Sequence, residues 1–473
     1  MIPYFFPPEG SAGVYRPLRF VRQLVSMGWE TTVVTGHPSH YERYDPQLVA
    51  QIPKETEILR VRAYDSWQAV QAWRGRRLHH KLSDATLEMV DRVYARQKSP
   101  LRTWMRSFMH DIESFYYFPD RARPWICQAV NVSRKSCLRK HPIAIWATIG
   151  PVSAGVVAQQ TSLLTGIPYI LDFRDPWELY YYESESQRPQ SVIRRAHRTM
   201  YRLLEGAQAI VFLFPRVAEC YYRAYKGALD SAKIHIIPNG YEGEIEEFNV
   251  PSTNTCNILY TGTLSTYRFD TFLQALQSLK IDQPSLCRDL RIQFVGDGIT
   301  SLAREVNNRG ISNMVQTSHS ISNEELKSLN RNAHAFLILG RHAERKGHEL
   351  VAGAKLFGYF KSRKPILGIL PNDETKAILS SVGVKTVADV NSIPEIISVL
   401  QMVHSAWSMG QLASLLPEVS ACQRYASLPQ TLALICALEG KDPVQPFMPG
   451  EFDVPSSLRK TIEDKSLWYG EHG

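Results

Sequence analysis

Pro3-Tyr4-Phe5-Phe6-Pro7-Pro8-Glu9-Gly10-Ser11-Ala12-Gly13-Val14-Tyr15-Arg16 runs from a short apolar segment through a two-glycine turn into apolar residues at helical spacing, Val21, Leu24 and Val25. Apolar strand, glycine turn and amphipathic helix together make the opening unit of a parallel βαβ sheet. In such a unit the glycines let the backbone approach a ligand, and the first amides of the helix favour phosphate in the turn. Arg16 adds a cation for a charge-assisted contact. A glycine turn between strand and helix also serves packing alone, so the rest of the chain has to supply the context.

The same unit recurs along the sequence. Apolar runs read as strands at 3–6, 31–35, 58–61, 144–148, 169–173, 209–214 and 234–237, and again at 257–261, 291–295, 314–316, 335–339, 365–370 and 384–388. Between the two sets lies Pro238-Asn239-Gly240-Tyr241 and a polar stretch to residue 255, which reads as a linker. A chain of 473 residues exceeds what one core usually organises. The expectation is an α/β chain of two Rossmann-like domains, 1–245 and 246–405. Helices over 406–440 are expected to pack back on the first domain, with a polar tail at 441–473.

Two further constellations sit at predicted strand ends. Leu171-Asp172-Phe173-Arg174-Asp175-Pro176-Trp177 carries a strand straight into charged residues, and groups at the C-terminal edge of a parallel sheet face the ligand crevice. A carboxylate there accepts a sugar hydroxyl or its proton, and a guanidinium neutralises phosphate, although an internal Asp–Arg pair is the competing reading. Tyr260-Thr261-Gly262-Thr263-Leu264-Ser265-Thr266-Tyr267-Arg268 repeats strand, glycine and helix at the head of the second domain. Phe294-Val295-Gly296-Asp297-Gly298 and Lys355-Leu356-Phe357-Gly358-Tyr359-Phe360 follow in order.

In this order the motifs resemble the retaining family-four glycosyltransferases of the GT-B fold, bacterial polysaccharide-assembly enzymes among them. The resemblance spans nearly the whole chain. It implies two facing Rossmann-like domains with a cleft between them, the first binding the acceptor and the second the nucleotide-sugar donor. Carried over by position, it implies Arg174, Asp172 and Asp175 as catalytic residues. Gly10, Gly13, Arg16, Gly262, Arg268 and Lys355 would bind the donor phosphates, and Gly296, Glu349 and Gly358 would lie at the ribose or base. The family's spaced glutamate pair is missing: Leu350 and Gly358 stand at its two positions, and Glu349 or Glu344 is the available substitute. No metal and no cofactor are expected, because basic side chains and helix termini stabilise a departing diphosphate in this fold.

Composition limits the alternatives. Hydrophobic residues make up 44% and charged residues 21%, the balance of an ordinary soluble α/β protein. The apolar runs fall far short of the roughly 20 residues of a membrane span, and no secretory leader is evident, so a cytoplasmic protein is expected, with contact at the inner face of the membrane. The seven cysteines show no metal spacing, and His37, His40, His79 and His80 lack ligand partners. A net charge of +8 fits an anionic partner. Its densest part, residues 67–110, interleaves Arg74, Arg77, Arg92 and Arg106 with Trp67, Trp73 and Trp104. That pattern reads either as a basic helix on an anionic bilayer or as a solvated surface. Nucleic acid is not expected, since no recognition motif accompanies the charge. The partners expected are a nucleotide-sugar donor, a saccharide or lipid-linked acceptor and an anionic membrane surface. A catalytically weak homologue with a binding or scaffold role, and a nucleotide-sugar epimerase, are the competing readings.

Overall fold

The computed structural model describes residues 1–63, 65, 115–175, 190–264, 269–319, 321–340 and 348–452; the basic stretch 67–110 lies outside them. In the first half six parallel strands form, β1 (Thr32–Gly36), β2 (Glu57–Val61), β3 (Ile145–Ile149), β4 (Tyr169–Phe173), β5 (Ala209–Phe212) and β6 (Ile234–Ile236). β1 pairs with β2, and β3 to β6 pair in sequence. The opening segment joins the two sets. Ile2 N donates to Trp146 O (2.7 Å), while Met1 O and Tyr4 O accept from Val34 N (2.9 Å) and Gly36 N (3.1 Å). The order is therefore β2, β1, opening segment, β3, β4, β5, β6. The strand expected at 3–6 does not form; the opening segment makes an isolated bridge between Ile2 and Ala147. Proline at position 3 has no N–H to donate to a ladder, and Phe6 O already accepts from Glu9 N (3.1 Å) in the turn.

The second half holds β7 (Cys256–Thr261), β8 (Leu290–Val295), β9 (Val315–Ser318), β10 (Ala335–Leu339), β11 (Ile366–Leu370) and β12 (Val387–Asp389), all parallel, in the order β12-β11-β10-β7-β8-β9. Both halves follow the doubly wound Rossmann plan, in which ligands bind where strand order reverses. In the first half that point lies between the opening segment and β3. In the second it lies between β7 and β10. Among the described residues no helix is long and apolar enough to cross a membrane.

The chain crosses from β6 to the second domain along one face of the first helix, Tyr15–Ser26. Arg16, Arg19 and Arg22 stand one turn apart on that helix and grip the crossing peptide in succession. Arg16 donates through Nε and Nη2 to both oxygens of Asp172 (2.8 and 3.0 Å), and to the carbonyls of Ile237 (2.9 Å) and Pro238 (3.0 Å). Arg19 donates to Gly240 O (2.7 Å) and to Gln430 Oε1 (2.8 Å), so the last described helix, Ser427–Leu438, is drawn onto the first domain. There Leu434 and Leu438 pack with Phe20, Leu24 and Trp146. Arg22 pairs with Glu242 (2.6 Å) at the surface.

Burial separates these contacts energetically. The Arg16 and Asp172 side chains are 3% and 0% exposed, so removing one partner strands a charge in the interior. Asp172→Ala should cost about 3–5 kcal/mol in urea unfolding. Arg22→Ala, at an exposed pair, should cost no more than about 1 kcal/mol. Equal midpoints for the two variants would refute the ranking.

Candidate active site

At the reversal point of the first domain, the turn carrying Gly10 and Gly13 faces Gly150 at the end of β3. Arg174, one residue past β4, lies across both. Its guanidinium covers the Cα of Gly13, where any side chain would collide with Nη1, and Nη2 donates to Gly150 O. A Cβ on Gly150 would meet Nη2 at 2.8 Å. Close packing lowers the basicity of Arg174, Asp175 and Asp172 oppose the change, and its Nε has no hydrogen-bond partner among the described residues.

At the reversal point of the second domain, Gly262 ends β7 with φ +129°, a backbone state open to glycine, and its N–H donates to Val295 O (2.8 Å). Lys355 bends over this turn. Its ammonium donates to Thr261 O (2.7 Å) and Tyr260 Oη (3.2 Å), lies 4.2 Å from the centre of the Tyr260 ring, and occupies the space a Cβ on Gly262 would need. The lysine is held there by its helix, Lys355–Lys361. Tyr359 stacks on Phe336 of β10 at 4.2 Å and shares a hydrogen bond with Thr261 Oγ1 (3.1 Å).

The domains meet through side chains as well. Glu374, at the start of the helix after β11, lies 3.8 Å from Arg216 of the first domain, and a cavity of about 370 Å³ is lined by Phe214, Pro238, Glu374, Ile378, Arg424 and Gln430. Glu349, in the turn His348–Leu350, also faces the first domain. Burial pushes the Cys220 thiol up to about 12, with charges including those of Glu219 and Glu349 adding to the rise.

The structure places the expected site residues as follows. Arg16, expected on the donor phosphates, and Asp172, expected among the reacting groups, are both buried and paired with each other. Gly10 does not line the turn's open side: its N–H donates to Arg43 O (3.2 Å), and a Cβ there would meet Asp45 Cβ at 3.2 Å. Gly296 is small because the Gly262 backbone lies against it. Gly358 sits exposed on its helix with open space around its Cα. Asp175 is exposed at the lip of the first turn. Arg268 and Glu344 lie outside the described residues. Arg19 was missed, although its spacing from Arg16 and Arg22 was legible. Among the described residues no group of three His, Cys, Asp or Glu side chains is gathered to hold a metal ion.

No protein-family profile matches this chain and no curated protein matches it. Solved structures do. Sucrose-phosphate synthase from Thermosynechococcus elongatus aligns with a TM-score of 0.52 at 11% identity, over 90% of this chain and 92% of that one. A glycosyltransferase from Rickettsia africae aligns at 0.53 and 12%, over 91% and 95%. The lipopolysaccharide outer core galactosyltransferase WaaB, in its apo form, aligns at 0.52 and 12%, over 93% and 99%. The fold is GT-B. At these identities the likeness is one of fold. In GT-B terms, Arg174 and Lys355 mark the reversal points of the two Rossmann-like domains.

The carboxyl of Glu374 is raised from 4.5 to about 7, chiefly by burial, with Arg216 opposing and Asp373 adding. Its Oε2 has no hydrogen-bond partner among the described residues, and the ion pair is too long to offset the burial. Between about pH 4.5 and about 7 the folded chain therefore holds a proton that the unfolded chain has lost. Stability should fall as pH rises from about 4.5 to about 7, by about 3 kcal/mol in total. Glu374→Gln should flatten that part of the profile in urea titrations at a series of pH values. An unchanged slope in the variant would show that the group does not titrate there.

Proposed function

We propose that this chain is a glycosyltransferase that moves a sugar from a nucleotide-sugar donor to a saccharide or lipid-linked acceptor, with retention, in cell-surface polysaccharide assembly. The observation that carries the reading is the cation at each reversal point, Arg174 on Gly13 and Gly150 and Lys355 on Gly262. Glycosyl transfer from a nucleotide sugar leaves a diphosphate that gains negative charge as its bond to the sugar breaks. Cations fixed in advance at a partly dry site lower the energy of that charge without reorganising. Lys355 is tethered and stacked, so its position is set before a donor arrives. Arg174 serves the same end from the acceptor side. The acceptor hydroxyl must lose its proton. Asp172 has both oxygens engaged by Arg16, which leaves Asp175 as the exposed carboxylate of the pair. No step calls on a metal. A lipid-linked acceptor would bring the chain to the inner face of the membrane.

Gly358 favours a second reading, a catalytically weak homologue that binds the nucleotide without efficient transfer, because no carboxylate is present at that position to take the ribose hydroxyls. It shares a helix face with Lys355, three residues earlier. Both readings expect nucleotide binding.

Thermal shift against UDP-, GDP-, ADP- and dTDP-sugars should show stabilisation by at least one donor. With that donor, Arg174→Gln and Lys355→Met should each reduce transfer by on the order of 10²-fold or more. Wild-type turnover in both would defeat the enzyme reading, and binding without transfer in the wild type would favour the second. Nothing lies within 4 Å of a Cβ built on Gly358, so Gly358→Glu should fold normally. If the ribose lies beside it, nucleotide affinity should rise about tenfold, which is about 1.4 kcal/mol by calorimetry.

A further inference from the structure

A cavity of about 770 Å³ lies outside the cleft, on the outer face of the first domain among the helices Ile126–Lys140, Ser153–Thr165 and Gln190–Gly206. Arg123, Arg195, Arg198 and Arg202 line it, together with Tyr116 and Phe118, and among the described residues no acidic side chain does. Arg195, Arg198 and Arg202 recur at three- and four-residue intervals along one helix, so their side chains share a face. Among the described residues none of these three guanidinium groups makes an ion pair or a hydrogen bond. That is unusual company: three like charges held side by side repel one another, and counter-charge from within the described residues does not offset it.

The remaining walls are mixed, with Gln160, Ser191 and Thr199 beside the apolar residues. Arg195 lies 4.9 Å from the centre of the Phe115 ring and 4.5 Å from that of Phe118, and Phe115 itself is 61% exposed. Ile126, Val156, Pro119 and Pro124 complete the surface. Guanidinium forks match phosphate oxygens in geometry and charge, while aromatic and aliphatic walls suit an attached hydrocarbon rather than water. A soluble sugar phosphate would use the first feature and leave the second unmet.

We propose that this cavity binds the phosphate headgroup of an anionic lipid, with Arg195, Arg198 and Arg202 on the phosphate and the exposed Phe115 ring against the acyl region. The site is separate from the cleft and stands whether or not the chain transfers sugar. The test uses the full chain and vesicles of phosphatidylcholine, with or without phosphatidylglycerol. Wild type should partition onto the phosphatidylglycerol vesicles and not onto phosphatidylcholine alone. The triple variant Arg195→Gln, Arg198→Gln, Arg202→Gln should bind them at least tenfold more weakly with an unchanged melting temperature, since all three side chains are exposed. A control triple variant on the second domain, Arg288→Gln, Arg304→Gln, Lys327→Gln, removes the same charge from exposed positions and should bind like wild type. Equal losses in the two triple variants would overturn the site in favour of diffuse attraction by net charge. Saturable binding of glycerol 3-phosphate, lost in the cavity variant and unaccompanied by vesicle binding, would overturn the lipid assignment in favour of a soluble phosphate.

Discussion

The buried pair between Arg16 and Asp172 holds together parts of the chain on which every other feature depends. It joins the first helix to the end of β4, and through the carbonyls of Ile237 and Pro238 it joins both to the peptide that leaves for the second domain. The Coulomb attraction alone would scarcely exceed the cost of taking two ions out of water. What makes the arrangement work is saturation, because both carboxylate oxygens and three guanidinium nitrogens are engaged inside the protein. Arg19, one turn on, extends the grip to Gly240 and Gln430. Burial and the nearby Arg16 lower it to about 9, opposed by Glu242 and Asp172. A rigid helix face thus sets the path of the interdomain connection.

The second recurring device is a cation seated on a glycine. At Gly13 and at Gly262 the absent Cβ leaves space that Arg174 and Lys355 fill with their own charged groups. A phosphate approaching either turn therefore meets a side-chain cation, and the field it enters is more positive than a bare glycine loop would provide. The two seats differ in solvation. Lys355 rests on an aromatic face and two oxygens, whereas Arg174 keeps an unpaired Nε. An unpaired donor in a recessed position has most to gain from an arriving anion.

Positive charge is thus placed unequally over the fold. Some of it is consumed internally by the Arg16 and Arg19 contacts, and some is fixed at the reversal points. A third part, on Arg195, Arg198 and Arg202, faces outward with no counter-charge among the described residues. These three uses of arginine and lysine look alike in composition and differ completely in chemistry. The first stabilises the fold; the second and third are the cations that the proposed transfer and the proposed lipid site would use.

The architecture was legible in the sequence because it is written in local periodicity. Apolar runs of strand length, each followed by a glycine turn and a helical repeat, occur twice, and a polar stretch divides them. Each expected strand but the first lies within a few residues of an observed one; at the opening, where Pro3 lacks the N–H a ladder needs, only an isolated bridge at Ile2 forms. Tertiary structure alone decided which charged residues are buried against each other. Arg16 and Asp172 are 156 positions apart and each looks, within its own motif, like a cleft residue; only their burial against each other assigns them to the framework. Gly10 and Gly296 read as ligand turns by spacing and prove to be packing glycines, because the atoms that crowd them come from distant segments. The same holds for the arginine cavity, whose lining is drawn from three helices. Periodicity depends on neighbours along the chain, but the role of a charge depends on what else is buried beside it, and that is a property of the assembled fold.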